Sequence, residues 1–283
     1  KYFFKKKLRK NPIFFLQFFI FIFGKVKKKK STAAENVHII SEKFEIPQLS
    51  TTRRIWIYLP PNYKNSTKKY PVMYLHDGQN LFDDQTSYAG EWQIDETLNR
   101  MTKDEKLATI VVGIDHGDEK RIEELSPFKN EKYGGGKGDL YLQFIIENLK
   151  PYIDKNYRTK SSKKFTTLGG SSLGALISVY GAVKYPDVFG KVLAFSPAFW
   201  FNSKELNDYI AAQKINLQNQ KYYFIQGKFE DEGMDLETQK VIDQLKNKKV
   251  KASQIYFIED EKGKHNEFFW RRAFPEAFLW LNK

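Results

Sequence analysis

The chain has no cysteine in its 283 residues. Disulfides, thiolate metal sites and cysteine nucleophiles are therefore excluded. Histidine is also scarce, with four in the whole sequence. No two of them stand at the His-x-x-x-His spacing of a helical zinc site, so no metal and no cofactor are expected. Acidic residues are missing from one place: residues 1–30 hold eleven Lys and Arg and neither Asp nor Glu. The formal charge of +13 sits mostly there, which leaves the rest of the chain near +2. That distribution argues against nucleic acid as a partner, and no basic stripe with interleaved aromatics stands out in the body. No internal repeat and no long low-complexity linker occurs.

A long hydrophobic run is missing too. The apolar stretch Pro12–Gly24 falls short of the about 20 residues that a membrane span needs. It has the length of a signal-peptide core behind a basic leader, and Ser31–Ala34 offers small residues for cleavage. The lysines that follow it directly, and its many Phe, point instead to an uncleaved basic segment at a membrane surface. We divide the chain into a signal-like or anchor segment over residues 1–34 and one domain over residues 35–283. Export to a periplasmic or secreted location is expected, with anchoring by the front segment as a variant and a cytoplasmic location left open. Membrane contact is expected only through residues 1–30.

What is present centres on Gly170-Ser171-Ser172-Leu173-Gly174. This is Gly-x-Ser-x-Gly, the pattern of a nucleophile elbow. A strand-like run, Lys163–Leu168, precedes it, and a helical apolar pattern, Leu173–Lys184, follows. The glycine register selects Ser172, because Ser171 would need a glycine where Leu173 stands. One donor of an oxyanion hole should then be the backbone N–H of Leu173, the residue after the nucleophile.

A serine hydroxyl needs a base, and the base needs an orienting group. In hydrolases built on such an elbow the chain order is Ser, acid, His. His38, His76 and His116 all precede Ser172, so His265 is the candidate base. The acid should follow the strand Tyr222–Ile225. Glu230, Asp231, Glu232 and Asp235 compete there; Glu230 comes first beyond the strand end and Asp231 is second.

Further strands are expected over Val37–Ile46, Arg53–Leu59, Val72–His76, Thr109–Ile114, Lys191–Phe195 and Gln254–Ile258, with helices over Leu140–Ile153, Leu236–Lys246 and Glu267–Leu281. Alternating strands and helices imply an α/β class with a mostly parallel sheet covered on both faces. Its site should lie at the carboxyl ends of the strands. Lys129–Gly138, with three successive glycines, reads as a flexible surface loop near the rim.

Several runs, in order, carry a resemblance: Tyr70–Asp83, Val112–Asp115, Gly169–Gly174, Tyr185–Lys191, Ser196–Trp200 and His265–Glu267. Over roughly residues 35–283 the chain resembles the esterase family of α/β-hydrolases, which includes siderophore esterases, feruloyl and acetyl-xylan esterases and the antigen 85 mycolyltransferases. The resemblance implies the α/β-hydrolase fold and hydrolysis of a carbohydrate-linked or siderophore-type carboxylic ester through an acyl-enzyme on Ser172. The family's Gly-x-x-acid pattern matches Gly227–Glu230 and favours Glu230, although some members work with a Ser–His pair alone. Antigen 85 relatives point to the Gln79 N–H as the second oxyanion donor, with Gly78 letting the chain turn. Trp92 and Trp200 are placed by resemblance near the substrate cleft, and Asp77 is a further candidate for substrate contact. An acyltransferase using the same triad, and a non-catalytic binding module of the same fold, are the alternatives.

Overall fold

Short runs of β-branched and aromatic residues become the strands of one sheet, and the amphipathic stretches between them become its covering helices. The computed structural model describes residues 30–101, 107–230 and 233–283. In chain order the elements are β1 (Val37–Ile46), β2 (Thr51–Tyr58), β3 (Val72–His76), α1 (Ile94–Met101), β4 (Ile110–Ile114) and α2 (Arg121–Leu125). Then come the short β5 (Lys129–Asn130) and β6 (Gly134–Gly135), α3 (Gly138–Phe144), a π turn over Ile145–Leu149, and α4 (Lys150–Asn156). The remainder is β7 (Thr166–Ser171), α5 (Leu173–Lys184), β8 (Lys191–Phe195), α6 (Ser203–Ala212), β9 (Lys221–Gly227), α7 (Met234–Asn247), β10 (Ile255–Asp260) and α8 (Glu267–Asn282).

The main sheet has the order β1-β2-β4-β3-β7-β8-β9-β10. The pairs β1/β2 and β2/β4 are antiparallel; all the others are parallel. Successive side chains of a strand point to opposite faces, and the two cores follow from this. Val72 and Tyr74 of β3 join one apolar cluster with Leu142, Phe144, Leu176, Val179 and Val241. Met73 and Leu75 join the other, with Ile94, Leu98, Phe274 and Phe278. Helices α3, α5 and α7 thus cover one face, and α1 and α8 the other. Burying a side chain such as Phe278, which is 0% exposed, contributes about 2–3 kcal/mol.

The expected loop over 129–138 is instead a small antiparallel hairpin. Gly134, Gly135 and Gly136 all have positive φ, a backbone that only glycine adopts at little cost. The side-chain amide of Asn130 donates to Phe201 O at 2.8 Å and ties this hairpin to the segment after β8.

Residues 31–34 lie against the domain. Ser31 Oγ donates to Asp83 Oδ2 at 2.6 Å, Thr32 N to Asp83 Oδ1 at 3.1 Å and Ala34 N to Asp95 Oδ2 at 2.8 Å. The expected membrane contact and the expected anchor are corrected. Among the described residues no helix is long and apolar enough to cross a membrane. The longest of these, α8, has 16 residues and carries Glu267, Arg271, Arg272 and Glu276. Residues 1–29, on which the signal and anchor readings fell, lie outside the described residues.

Candidate active site

The strands of the parallel part end at one edge of the sheet, and the candidate residues gather there. Ser172 stands between β7 and α5 with φ 57° and ψ −122°. A non-glycine residue in that region carries about 1–3 kcal/mol of backbone strain, which the surroundings must hold. They do so through the main chain: Ser172 N donates to Phe195 O at 3.0 Å, and Ser172 O accepts from Ala198 N at 3.1 Å. A Cβ on Gly174 would come to 3.2 Å from His76 Cβ, and one on Gly170 to 3.3 Å from Gly174 Cα. The two glycines of the motif therefore let β7, α5 and His76 approach closely. His76 itself is buried, with its Nδ1 2.9 Å from the Tyr141 hydroxyl. Burial pushes it down to about 4, so it is neutral at pH 7. Ser172 is partly exposed, and its Oγ has no hydrogen-bond partner among the described residues.

The loop after β3 sits beside this elbow. Asp77 takes the left-handed conformation, φ 56°, and Gly78–Asn80 forms one tight helical turn. Gly78 was expected to provide the turn; its role is close approach. A Cβ there would meet the backbone of Gly113 and Ile114 at 2.8 Å. Thr86 Oγ1 donates to Gln79 O at 2.7 Å, and Gln79 Oε1 accepts from His116 N at 3.2 Å. Gln79 is thus pinned through its carbonyl and its side chain. Among the described residues, neither the Gln79 nor the Leu173 amide has a backbone partner.

Glu230 and His265 come from loops after β9 and β10. Their meeting depends on two glycines. A Cβ on Gly227 would lie 2.3 Å from Gly263 O, and one on Gly263 would lie 2.7 Å from Gly227 Cα. No larger residue permits this backbone contact, which sets the two loops side by side. Glu230 Oε2 lies 3.2 Å from His265 Nδ1. Its other oxygen, Oε1, accepts from Gly227 N at 2.9 Å and from Ser196 Oγ at 2.8 Å. The Glu230 side chain is 1% exposed and that of His265 is 36% exposed. The imidazole stands edge-on to Trp270, with ring centroids 5.3 Å apart. Trp270 Nε1 in turn donates to Ser196 Oγ at 2.9 Å. The loop bearing His265 ends at Asn266, whose side chain caps α8 by accepting from Phe269 N at 3.0 Å. Asp231, the second acid candidate, lies outside the described residues.

The softer candidates separate. Trp92 is buried, at 3% exposed, and packs against Phe195 and Trp270 at 5.1 and 5.6 Å. Asp77 is buried, and both its oxygens receive the Arg121 guanidinium at 2.7 and 2.8 Å. Burial alone would raise its pKa, but the Arg121 charge and hydrogen bonds outweigh that and hold the carboxyl below its ordinary range. Trp200 is exposed and meets the Tyr133 ring edge-on at 6.1 Å. It follows Ala198, the residue bonded to Ser172 O, by two positions.

Three residues of this edge had no chemical role assigned from the sequence, although Arg121 was expected at the rim. Ser196 bridges the acid to Trp270. Arg121 buttresses Asp77 and stays 26% exposed. Glu267, beside the base in sequence, is buried and accepts from Asn80 Nδ2 at 3.3 Å. Burial raises its pKa, with the Asp77 charge adding to the effect. Glu267 has a signal in the sequence, as an acid in the first turn after a capping Asn.

The fold and the family match define a serine-type carboxylic ester hydrolase on the α/β-hydrolase fold. The family model "Esterase", described as "Putative esterase", matches residues 46–281, and the chain belongs to that family. It is similar to the uncharacterized protein YbbA of Bacillus subtilis, 26% identical over 81% of this chain and 92% of YbbA. It is also similar to the ferri-bacillibactin esterase BesA of the same organism, 26% identical over 53% of this chain and 56% of BesA. Among solved structures, the BES protein from Bacillus cereus superposes with a TM-score of 0.69 at 20% identity, covering 91% of this chain and 99% of that one.

Proposed function

We propose that Ser172 is the nucleophile of this hydrolase, with His265 as general base and Glu230 as its orienting acid. The observation that carries the reading is the Glu230 Oε2 to His265 Nδ1 contact of 3.2 Å, formed at the sheet edge where Ser172 heads α5. Glu230 favours the tautomer with the proton on Nδ1, which leaves Nε2 free to accept. As Ser172 Oγ bonds to the ester carbonyl carbon, its proton passes to His265 Nε2. The carbonyl oxygen takes the negative charge, and the Leu173 and Gln79 amides donate to it. Collapse of the tetrahedral species breaks the ester C–O bond, and His265 returns the proton to the leaving alcohol. Water then attacks the acyl-enzyme by the same route and releases the acid and Ser172.

The substrate that fits best is an ester with an aromatic acyl group. Trp200, two positions beyond the Ala198 bonded to Ser172 O, is 47% exposed and meets the half-exposed Tyr133 ring edge-on at 6.1 Å, and Arg121 adds a partly exposed guanidinium. The relative BesA, named for an iron-siderophore ester, points in the same direction. Hydrolysis of p-nitrophenyl acetate and butyrate, with Ser172→Ala alongside, tests the reading. Serine-to-alanine loss of at least about a thousandfold is expected. Near-normal turnover in that variant, or fluorophosphonate labelling at another residue, refutes it.

A further inference from the structure

At the opposite edge of the sheet, where the parallel strands begin, lies a second cavity of about 600 Å³. It is bordered by Lys160, Lys163 and Lys164 from the turn before β7, by Lys191 at the start of β8 and by Lys221 at the start of β9. The six residues of β7 separate this edge from Ser172, a distance of about 20 Å at the rise of a strand. The two sites are therefore distinct.

Among the described lining residues no side chain is acidic. Lys283 adds a sixth lysine to the wall. Among the described residues, only Lys163 of the six has a side-chain carboxylate partner, Asp187 at 2.9 Å. Lys191 Nζ donates to Asn282 Oδ1 at 2.8 Å, a neutral acceptor. Lys160 and Lys164 each place an ammonium against the Phe165 ring, at 4.9 and 5.7 Å, and Lys221 lies over Trp280 at 5.5 Å. Five ammonium groups thus share one concavity with no side-chain carboxylate partner among the described residues. Burial lowers the Lys191 pKa to about 8, and repulsion from Lys221 and Lys164 adds to the shift. Like charges held by separate stretches of rigid backbone cost stability unless an anion bridges them.

We propose that this cavity binds a small polyphosphate: a ligand with at least two linked phosphoryl groups. Lysine ammoniums act as point charges without the planar fork of arginine, and they suit several phosphate oxygens spread over a concave wall. A lone carboxylate or monophosphate would leave most of the positive charge unmatched. Phe165, Leu107 and Leu281 complete the wall with apolar surface, so an organic group carried on the phosphates also has a place to rest.

The test is calorimetric titration of the full chain with inorganic triphosphate and with inorganic monophosphate. Alongside run Lys191→Gln/Lys221→Gln and, as a control, Lys204→Gln, whose ammonium pairs with Asp208 on α6. Triphosphate is expected to bind at least about tenfold more tightly than monophosphate, and to weaken as salt rises. The double variant should lose at least about tenfold in affinity, while Lys204→Gln loses none. Thermal unfolding of each variant checks its fold, and Lys221→Gln alone serves if the double variant unfolds early. The proposal is overturned by no triphosphate binding at millimolar concentration, by equal affinity in the double variant, or by preference for a single-stranded oligonucleotide over triphosphate. None of these readouts depends on ester hydrolysis.

Discussion

Glu230→Gln is the substitution that most sharply separates a working acid from a bystander. The carboxylate has three donors: Gly227 N and Ser196 Oγ on Oε1, and His265 Nδ1 on Oε2. An amide at this position can accept at one atom only. If its oxygen faces Gly227 and Ser196, its N–H group faces His265 Nδ1 and drives the imidazole proton onto Nε2. The base is then in the wrong tautomer to accept from Ser172. If the amide turns over, its N–H group faces the Gly227 N–H in a buried position, which costs about 1–3 kcal/mol for the unmade bond. The first orientation wins by that margin, so most molecules hold the inactive tautomer. The expected fall in kcat is about 10³–10⁴-fold, or about 4–5.5 kcal/mol of transition-state stabilisation. KM should change little, because Glu230 is buried behind His265 and touches no substrate. Steady-state kinetics on p-nitrophenyl butyrate, with a thermal melt to verify the fold, measures this. A kcat within about tenfold of the parent refutes the reasoning and leaves a Ser–His pair acting alone.

Other substitutions probe the same structure. His265→Ala should lower turnover at least about a thousandfold with an unchanged melt, measured on the same ester. Gly227→Ala should cost about 1–3 kcal/mol in denaturant unfolding and most of the activity, since its methyl group meets Gly263 O; parent-like stability and rate would contradict the loop contact. Asp95 gives a pH prediction. Burial, with the neighbouring Glu96 adding to it against the Ala34 hydrogen bond, pushes this carboxyl up to about 8 from an ordinary 3.8. The unfolded carboxyl ionises first, so the folded state holds the extra proton between those values. Stability should therefore fall as pH rises through that window, by at most about 1.4 kcal/mol per unit. Asp95→Asn should flatten the decline between pH 5 and 8 in melts of both proteins, and an equal slope would count against it.

The strand starts and the elbow were readable because they depend on neighbours in sequence. Apolar runs such as Val72–His76 and the pair Gly170 and Gly174 reflect local backbone needs. His265 was singled out by chain order, since only one histidine follows Ser172, and the structure sets it beside Glu230. The features that escaped depend on contacts between distant segments. Ser196 bonds Glu230 across 34 positions and Trp270 across 74, and nothing beside it in the sequence announces this. Trp92 carried the same aromatic signal as Trp200, but the packing of α8 buries one and leaves the other exposed. The lysines of the second cavity come from separate stretches and only the fold brings them together.

The ties of Ser31, Thr32 and Ala34 bear on how this enzyme should be trimmed. Asp83 closes the loop that begins at Gln79, and Asp95 opens α1 just beyond it. A chain cut at residue 35 would strip both carboxylates of these donors and free one end of the segment that presents the Gln79 amide. The first few described residues thus brace the rim of the cleft from outside it. A shortened protein starting at residue 30 should melt higher and turn over faster than one starting at 35, even though neither cut touches a residue of the cleft.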